Sequence, residues 1–143
     1  MANQMYEWGV KGFIDGPVVD WNGDDFYVVL VDTGVYTVDL VNDRYLSDIS
    51  SIFGAVVATS DILTGTLVTS AVATEICGEA DYTYFTAVSG ATCEAMVVYK
   101  DTGVAATSPL VCYIDTAVGL PVTPNGGDIQ VNFTNNVVFK ALL

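Results

Sequence analysis

At 143 residues the chain has room for one domain whose core needs no disulfide or metal staple. Seventeen Asp and Glu oppose four Lys and Arg, for a formal charge of −13. Lys11, Arg44, Lys100 and Lys140 are spread from end to end, so the clustered cations that bind nucleic acid or an anionic membrane are missing, and neither is expected as a partner.

Apolar residues make up 52% of the chain and charged residues only 15%, so its solvated surface must rely on Ser, Thr, Asn and Gly. Part of a surface so short of ions is expected to be covered by another subunit. The acidity is read as solubility and repulsion between like neighbours, with contact to a basic patch on a partner as the sharper alternative. Although the mean hydropathy is +0.48, no window approaches the roughly 20 uninterrupted apolar residues of a spanning helix. The start, MANQMYEWGVKG, lacks the cationic-then-apolar order of a signal peptide.

In chain order, Gln4 to Phe13 reads as a short helical or extended arm. Tyr6, Val10 and Phe13 follow helical spacing, and Gly9 and Gly12 weaken it. Val18 to Trp21 and Phe26 to Val31 flank Asn22-Gly23, the residue pair of a type I′ hairpin turn. Tyr36 to Val41 alternates as a strand, with Tyr36, Val38 and Leu40 on one face. Asp43 to Phe53 is the best helical candidate, expected to form at most a turn or two. Asn42 or Asp43 would cap it, and Tyr45, Leu46, Ile49 and Phe53 would form its stripe.

Short strands are expected at Val56–Thr59, Ile62–Val68 and Ala71–Ile76, then at Tyr82–Val88, where Thr83 and Phe85 oppose Tyr82 and Tyr84. Cys93–Tyr99 and Leu110–Ile114 are apolar on both faces, which marks central, covered strands. Ile129–Phe133 alternates again, and Val137–Leu142 follows an Asn135-Asn136 turn. The run from Val97 to Phe133 places its Gly and Pro residues in two connections that carry no His, no basic residue and no nucleophile–base pair. Many short strands with frequent turns predict a mainly β chain: an antiparallel β-sandwich or jelly-roll-like domain with at most one or two short helices. Residues 1–16 are expected as an N-terminal arm and residues 17–143 as a single β-rich domain.

Chemistry-bearing patterns are sparse. The lack of His removes the commonest general base, the usual triad and most zinc sites. No nucleophile elbow or phosphate loop occurs. Asp20, Asn22 and Asp24 imitate the start of a calcium loop, but Asp25 and Val31 stand where its glycine and bidentate glutamate belong. The Asn132-Phe133-Thr134 sequon falls in an expected strand and is read as chance. The hydroxyls of Thr59, Ser60, Thr64, Thr66, Thr69, Ser70 and Thr74 read as the solvent side of strands, although sugar-binding surfaces share that look. No catalytic, cofactor-binding or metal residue is assigned, and an enzyme ranks last.

Three cysteines without metal-ligand spacing make no disulfide framework. Cys93 and Cys112 lie in apolar runs, and spacing leaves open whether they pair; Cys77, beside Gly78, is expected to be the most exposed.

Several segments together carry a family likeness. They are Val28-Val29-Leu30-Val31-Asp32-Thr33, Leu46-Ser47-Asp48-Ile49, Val57-Ala58-Thr59-Ser60 and Phe85-Thr86-Ala87-Val88-Ser89-Gly90, then Tyr99-Lys100-Asp101-Thr102-Gly103 and the run Gly119-Leu120-Pro121-Val122-Thr123-Pro124-Asn125-Gly126-Gly127-Asp128. Their order resembles a group of small virion structural proteins of tailed bacteriophages, among them capsid decoration (cement) proteins. The likeness covers most of the chain from the Asn22-Gly23 region onward; the arm matches least, and the cysteines fall outside it.

What the resemblance implies is a rigid β module without an active site or cofactor, made in the host cytoplasm and placed on the capsid exterior. Its partners would be the major capsid protein and further copies of itself, with a trimer favoured by the local three-fold axes of a shell. Tyr6, Trp8, Phe13 and Trp21 are the interface candidates, since aromatics commonly anchor interfaces; ordinary core packing is the competing reading for each. The rival functions are a tail, neck or baseplate component and a carbohydrate-binding β-sandwich.

Overall fold

A computed structural model describes residues 3–15, 18–72 and 75–142. The chain is mainly β, with antiparallel sheets and two short α-helices, a β-sandwich-like domain. Its centre is a five-stranded sheet ordered β1-β8-β7-β2-β3, made from β1 (Gln4–Met5), β2 (Phe26–Val31), β3 (Val56–Thr59), β7 (Ala95–Lys100) and β8 (Leu110–Ile114). Val, Ile, Leu and Tyr fill β2, β7 and β8 almost without interruption, and nearly every residue in them is buried. That pattern arises when both faces of a strand are covered.

On one face, Phe26, Val28 and Leu30 join Met96, Val98, Cys112 and Ile114. Against them pack a three-stranded sheet, β10-β5-β4, and a two-stranded ribbon, β6-β9. These comprise β4 (Leu67–Val72), β5 (Glu75–Glu79), β6 (Thr83–Phe85), β9 (Ile129–Val131) and β10 (Val137–Leu142). On the other face, Val29, Val31, Val97 and Tyr99 are covered by Tyr6, the Tyr36–Leu40 stretch, Ala55 and Ile49 of α2 (Leu46–Ser50).

The N-terminal residues pack on their own domain. β1 pairs with β8, the Tyr6 amide donates to Val111 O at 3.0 Å, and the Glu7 amide donates to Leu40 O at 2.8 Å. Helix α1 (Glu7–Ile14) then lies over β8 with Gly9 and Gly12 as its buried residues. A Cβ on Gly9 would sit 2.6 Å from Val111 O, and one on Gly12 would sit 2.7 Å from Val19 Cγ2. The glycines that weaken the helical pattern are therefore its contact face. Val10, expected on the apolar stripe, is exposed. The boundary between residues 16 and 17 lies outside the described residues.

Strands β3, β8 and β10 have the expected bounds, and Asn135 and Asn136 both adopt positive φ at the turn before β10. The Asn22-Gly23 hairpin does not form. Residues 20–24 make a tight turn in which the Gly23 and Asp24 amides donate to Asp20 O, and Gly23 has no positive φ. The Asp20 carboxylate accepts from the Asn22 amide at 3.1 Å, a local bond that outcompetes the I′ geometry. Strand β2 pairs instead with β3 and β7.

Tyr36–Val41 has the right buried side but makes no ladder, because β2 already has a neighbour on each edge. Helix α2 is the short turn of helix expected within Asp43–Phe53, and it starts after Tyr45, where Asp48 Oδ2 accepts from the Arg44 and Tyr45 amides at 2.7 and 2.8 Å. Phe53, expected on its stripe, is 98% exposed. The strand expected at Ala71–Ile76 spans Ala73 and Thr74, which lie outside the described residues; the flanking segments belong to β4 and β5.

Candidate functional site

The four aromatic candidates separate into three environments. Tyr6 is fully buried, and its hydroxyl lies 2.7 Å from that of Tyr36. The Tyr36 hydroxyl donates to Asp43 Oδ2 at 2.7 Å, and the Asp39 amide donates to the same carboxylate oxygen at 3.2 Å. Burial pushes both phenols above their ordinary range and raises the Asp43 carboxyl. This chain of groups clasps the N-terminal segment to the 36–43 loop.

Trp21 is 2% exposed, and its indole N–H donates to Glu79 O at 3.0 Å. It packs edge-on against Phe139 at 4.9 Å and tilted against Phe26 at 4.4 Å. Phe13, half-buried, meets the same Phe139 ring at 5.1 Å. Phe139 thus brings Phe13 and Trp21 together, and Gly78 opposite leaves room for its ring. Trp8 stands alone, half-buried, with Lys11 and Arg44 each 4.2 Å from its ring centroid. Tyr6 and Trp21 are core residues within this chain, the competing reading for each. Their hydroxyl and indole N–H find partners inside the domain, so burial leaves neither polar group unpaired. Phe13 and Trp8 retain exposed area.

Two hollows flank β10. The smaller, about 490 Å³, is lined by Phe13, Trp21, Val68, Ile76 and Phe139 among others. The larger, about 1090 Å³, lies between the N-terminal segment and β10. Met5, Val10, Leu40 and Val41 line it from one side and Val137 to Ala141 from the other, with Cys77 and Cys112 between. Glu7, Glu75 and Glu79 also reach it, against one cation, Lys140.

Much of the acidity has a structural use that the composition did not suggest. Asp20, Asp32, Asp39 and Asp101 each accept a hydrogen bond from the amide two residues on, and Asn125 does the same for Gly127. Such bonds stabilise turns from within. The repeated Asp-Thr-Gly, at Asp32–Gly34 and Asp101–Gly103, was the legible signal. Asp128 accepts from the Tyr84 hydroxyl at 2.5 Å and from the amide of Ala87 at 2.8 Å, pinning Ala87 at φ 49°. The Tyr84 bond, followed by the Ala87 amide, holds the Asp128 carboxyl below its ordinary value. Of the calcium-loop mimic, Asp20 serves its own turn and Asp24 pairs with Lys100 at 3.0 Å.

Among the described residues no cluster of three or more Cys, Asp or Glu is placed to hold a metal ion, and no helix is long and apolar enough to cross a membrane. The three cysteines are free and buried. Cys77 corrects its expected exposure: it sits in β5 opposite Lys140 of β10, lines the larger hollow, and is 1% exposed. Burial, assisted by the nearby Glu94 and Asp32 carboxylates, pushes the Cys93 thiol up to about 11, and burial raises Cys112 further. No family model matches the chain, and no curated protein matches it in sequence.

Proposed function

We propose that the chain is a virion structural protein of a tailed bacteriophage. Specifically, it would be a capsid decoration protein that binds the outer shell surface as a trimer and stabilises it. The observation that carries this reading is where the family-like residues lie. Val28–Thr33 is β2 with its turn, Tyr99–Gly103 is the end of β7 with the matching turn, and Phe85–Gly90 leads into the Asp128-pinned loop. The likeness therefore resides in residues that set backbone shape, as a module selected for fit requires.

Two features support it. The turn carboxylates stiffen the connections, and the apolar hollows beside β10 offer surface for a larger body to cover. A stable clamp would need about 1,600 Å² of interface. The test is the copy number of the chain in purified particles, from quantified gel bands, with cryo-EM of the head. A copy number comparable to that of the major capsid protein, with density on the outer shell, is the expected result. Density confined to tail, neck or baseplate would replace this reading by that one, and absence from particles would end both.

A further inference from the structure

Among the described residues, the larger cleft is bounded by the outermost strands of two sheets. Strand β1 is the outer strand of the five-stranded sheet, and β10 is the outer strand of the three-stranded sheet. Residues of both line the same space. An edge strand presents a row of backbone donors and acceptors that a further strand can pair with. The β10–β5 register shifts between Val137 and Phe139, and the Val138 carbonyl at that irregularity accepts a long bond, 3.8 Å, from the Cys112 thiol. A thiol is a weak donor.

The lining then sets the chemistry of an occupant. The interior is apolar, through Met5, Leu40 and Val138. The charge is acidic: Glu7, Glu75 and Glu79 face one lysine, Lys140, which already pairs with Glu75 at 3.1 Å. A second copy of this chain would bring a formal charge of −13 to that rim. Its three lysines are themselves ion-paired, and its one arginine lies over Trp8 and Tyr45. Charge complementarity thus favours a different, basic partner.

We propose that this cleft accepts an extended segment of a partner protein, alternating apolar and basic residues, as an added β-strand along the outer edge of β10. Alternate side chains of such a strand point to opposite sides, so a basic set would share the face of Glu75 and Glu79 while an apolar set shares that of Phe139. The inference deepens the reading of the chain as a module that fits against a larger protein, by naming the kind of segment it grips.

The experiment titrates isotope-labelled full-length protein with a peptide alternating valine and lysine, matched to the six residues of β10. Three comparisons accompany it: the glutamate-for-lysine peptide, the lysine peptide methylated on alternate backbone nitrogens, and the lysine peptide with the Glu7→Lys/Glu75→Lys variant. Expected are amide shifts centred on β10 and β1, weakened by salt. The glutamate and methylated peptides and the variant should each bind about tenfold or more weakly.

No saturable binding, shifts centred elsewhere, or equal binding of the methylated peptide would overturn the proposal. So would concentration-dependent shifts at β10 in the protein alone, which would assign the cleft to a second copy. The titration reads the cleft whether or not the chain is found in virions, so its failure and a failure of the copy-number test are separate results.

Discussion

The hydroxyls of Tyr6 and Tyr36 share a hydrogen bond of 2.7 Å across the base of the domain, and Tyr36 passes its own proton toward Asp43. The two positions are not equivalent. Tyr6→Phe leaves the Tyr36–Asp43 bond intact, so a loss of about 1 kcal/mol is expected. Tyr36→Phe strands the Tyr6 hydroxyl and leaves Asp43 Oδ2 with the Asp39 amide alone, and about 2–3 kcal/mol is expected. Urea unfolding midpoints of the two variants check the order, and a reversed order would contradict the clasp.

Gly9→Ala should destabilise, against the usual helix preference, which favours alanine by about 1 kcal/mol. A Cβ there meets the backbone of β8 at 2.6 Å, and backbone cannot rotate away. Lifting α1 off β8 is expected to cost about 1–3 kcal/mol, as overpacking usually does. The same denaturation series measures it.

Thr83 is fully buried in β6, and its hydroxyl has no hydrogen-bond partner among the described residues. Thr83→Val removes that uncompensated polar atom while keeping the β-branched shape. The expected gain is about 1 kcal/mol, read as a raised thermal midpoint. An unchanged or lowered midpoint would mean the hydroxyl is satisfied after all.

Two carboxyls give opposite pH responses. Asp128 is held below 3.8 by the Tyr84 hydroxyl and the Ala87 amide. Its contribution is complete above the ordinary value and is lost as pH falls through the depressed one. Asp43 is raised above 3.8, chiefly by burial. The folded state binds its proton more tightly, so its contribution is full at low pH and is lost as pH rises through the raised value. Asp128→Asn should therefore flatten the acid side of the stability profile. Asp43→Asn should remove a decline on the way to neutrality. Unfolding midpoints from acidic to neutral pH separate the two.

Cys77, Cys93 and Cys112 are all buried and free. With Cys93 pushed up to about 11 and Cys112 raised too, thiolate is scarce near neutral pH. A chromogenic disulfide reagent should label none of the three in the native protein and all three in urea. Rapid native labelling at Cys77 would restore the exposure its Gly78 neighbour suggests.

Much of the scaffold was legible. Val56–Thr59, Leu110–Ile114 and Val137–Leu142 are strands with the bounds that their β-branched and aromatic residues indicate. Asn135-Asn136 is a turn because both residues tolerate positive φ. The two-face burial of β7 and β8 followed from their unbroken apolar runs. The Asn22-Gly23 hairpin failed because a neighbouring carboxylate offered the backbone a nearer partner, which dipeptide preferences ignore. The cleft was not legible at all: its two sides come from opposite ends of the chain, and no local pattern records which strands end up outermost in a sheet.

Alternation, turn residues and an acid-rich composition therefore determined by themselves that the chain is a β module with short connections. Local sterics and hydrophobic burial act within a few residues, so they can be read from the string. Only the tertiary structure decided that Tyr6, Trp21 and Cys77 are core, that Gly9 and Gly12 are contact points, and that β1 and β10 become the outer strands of their sheets beside one cleft. Each of those depends on what a distant segment places opposite a residue, and packing across such distances is settled by the whole chain at once.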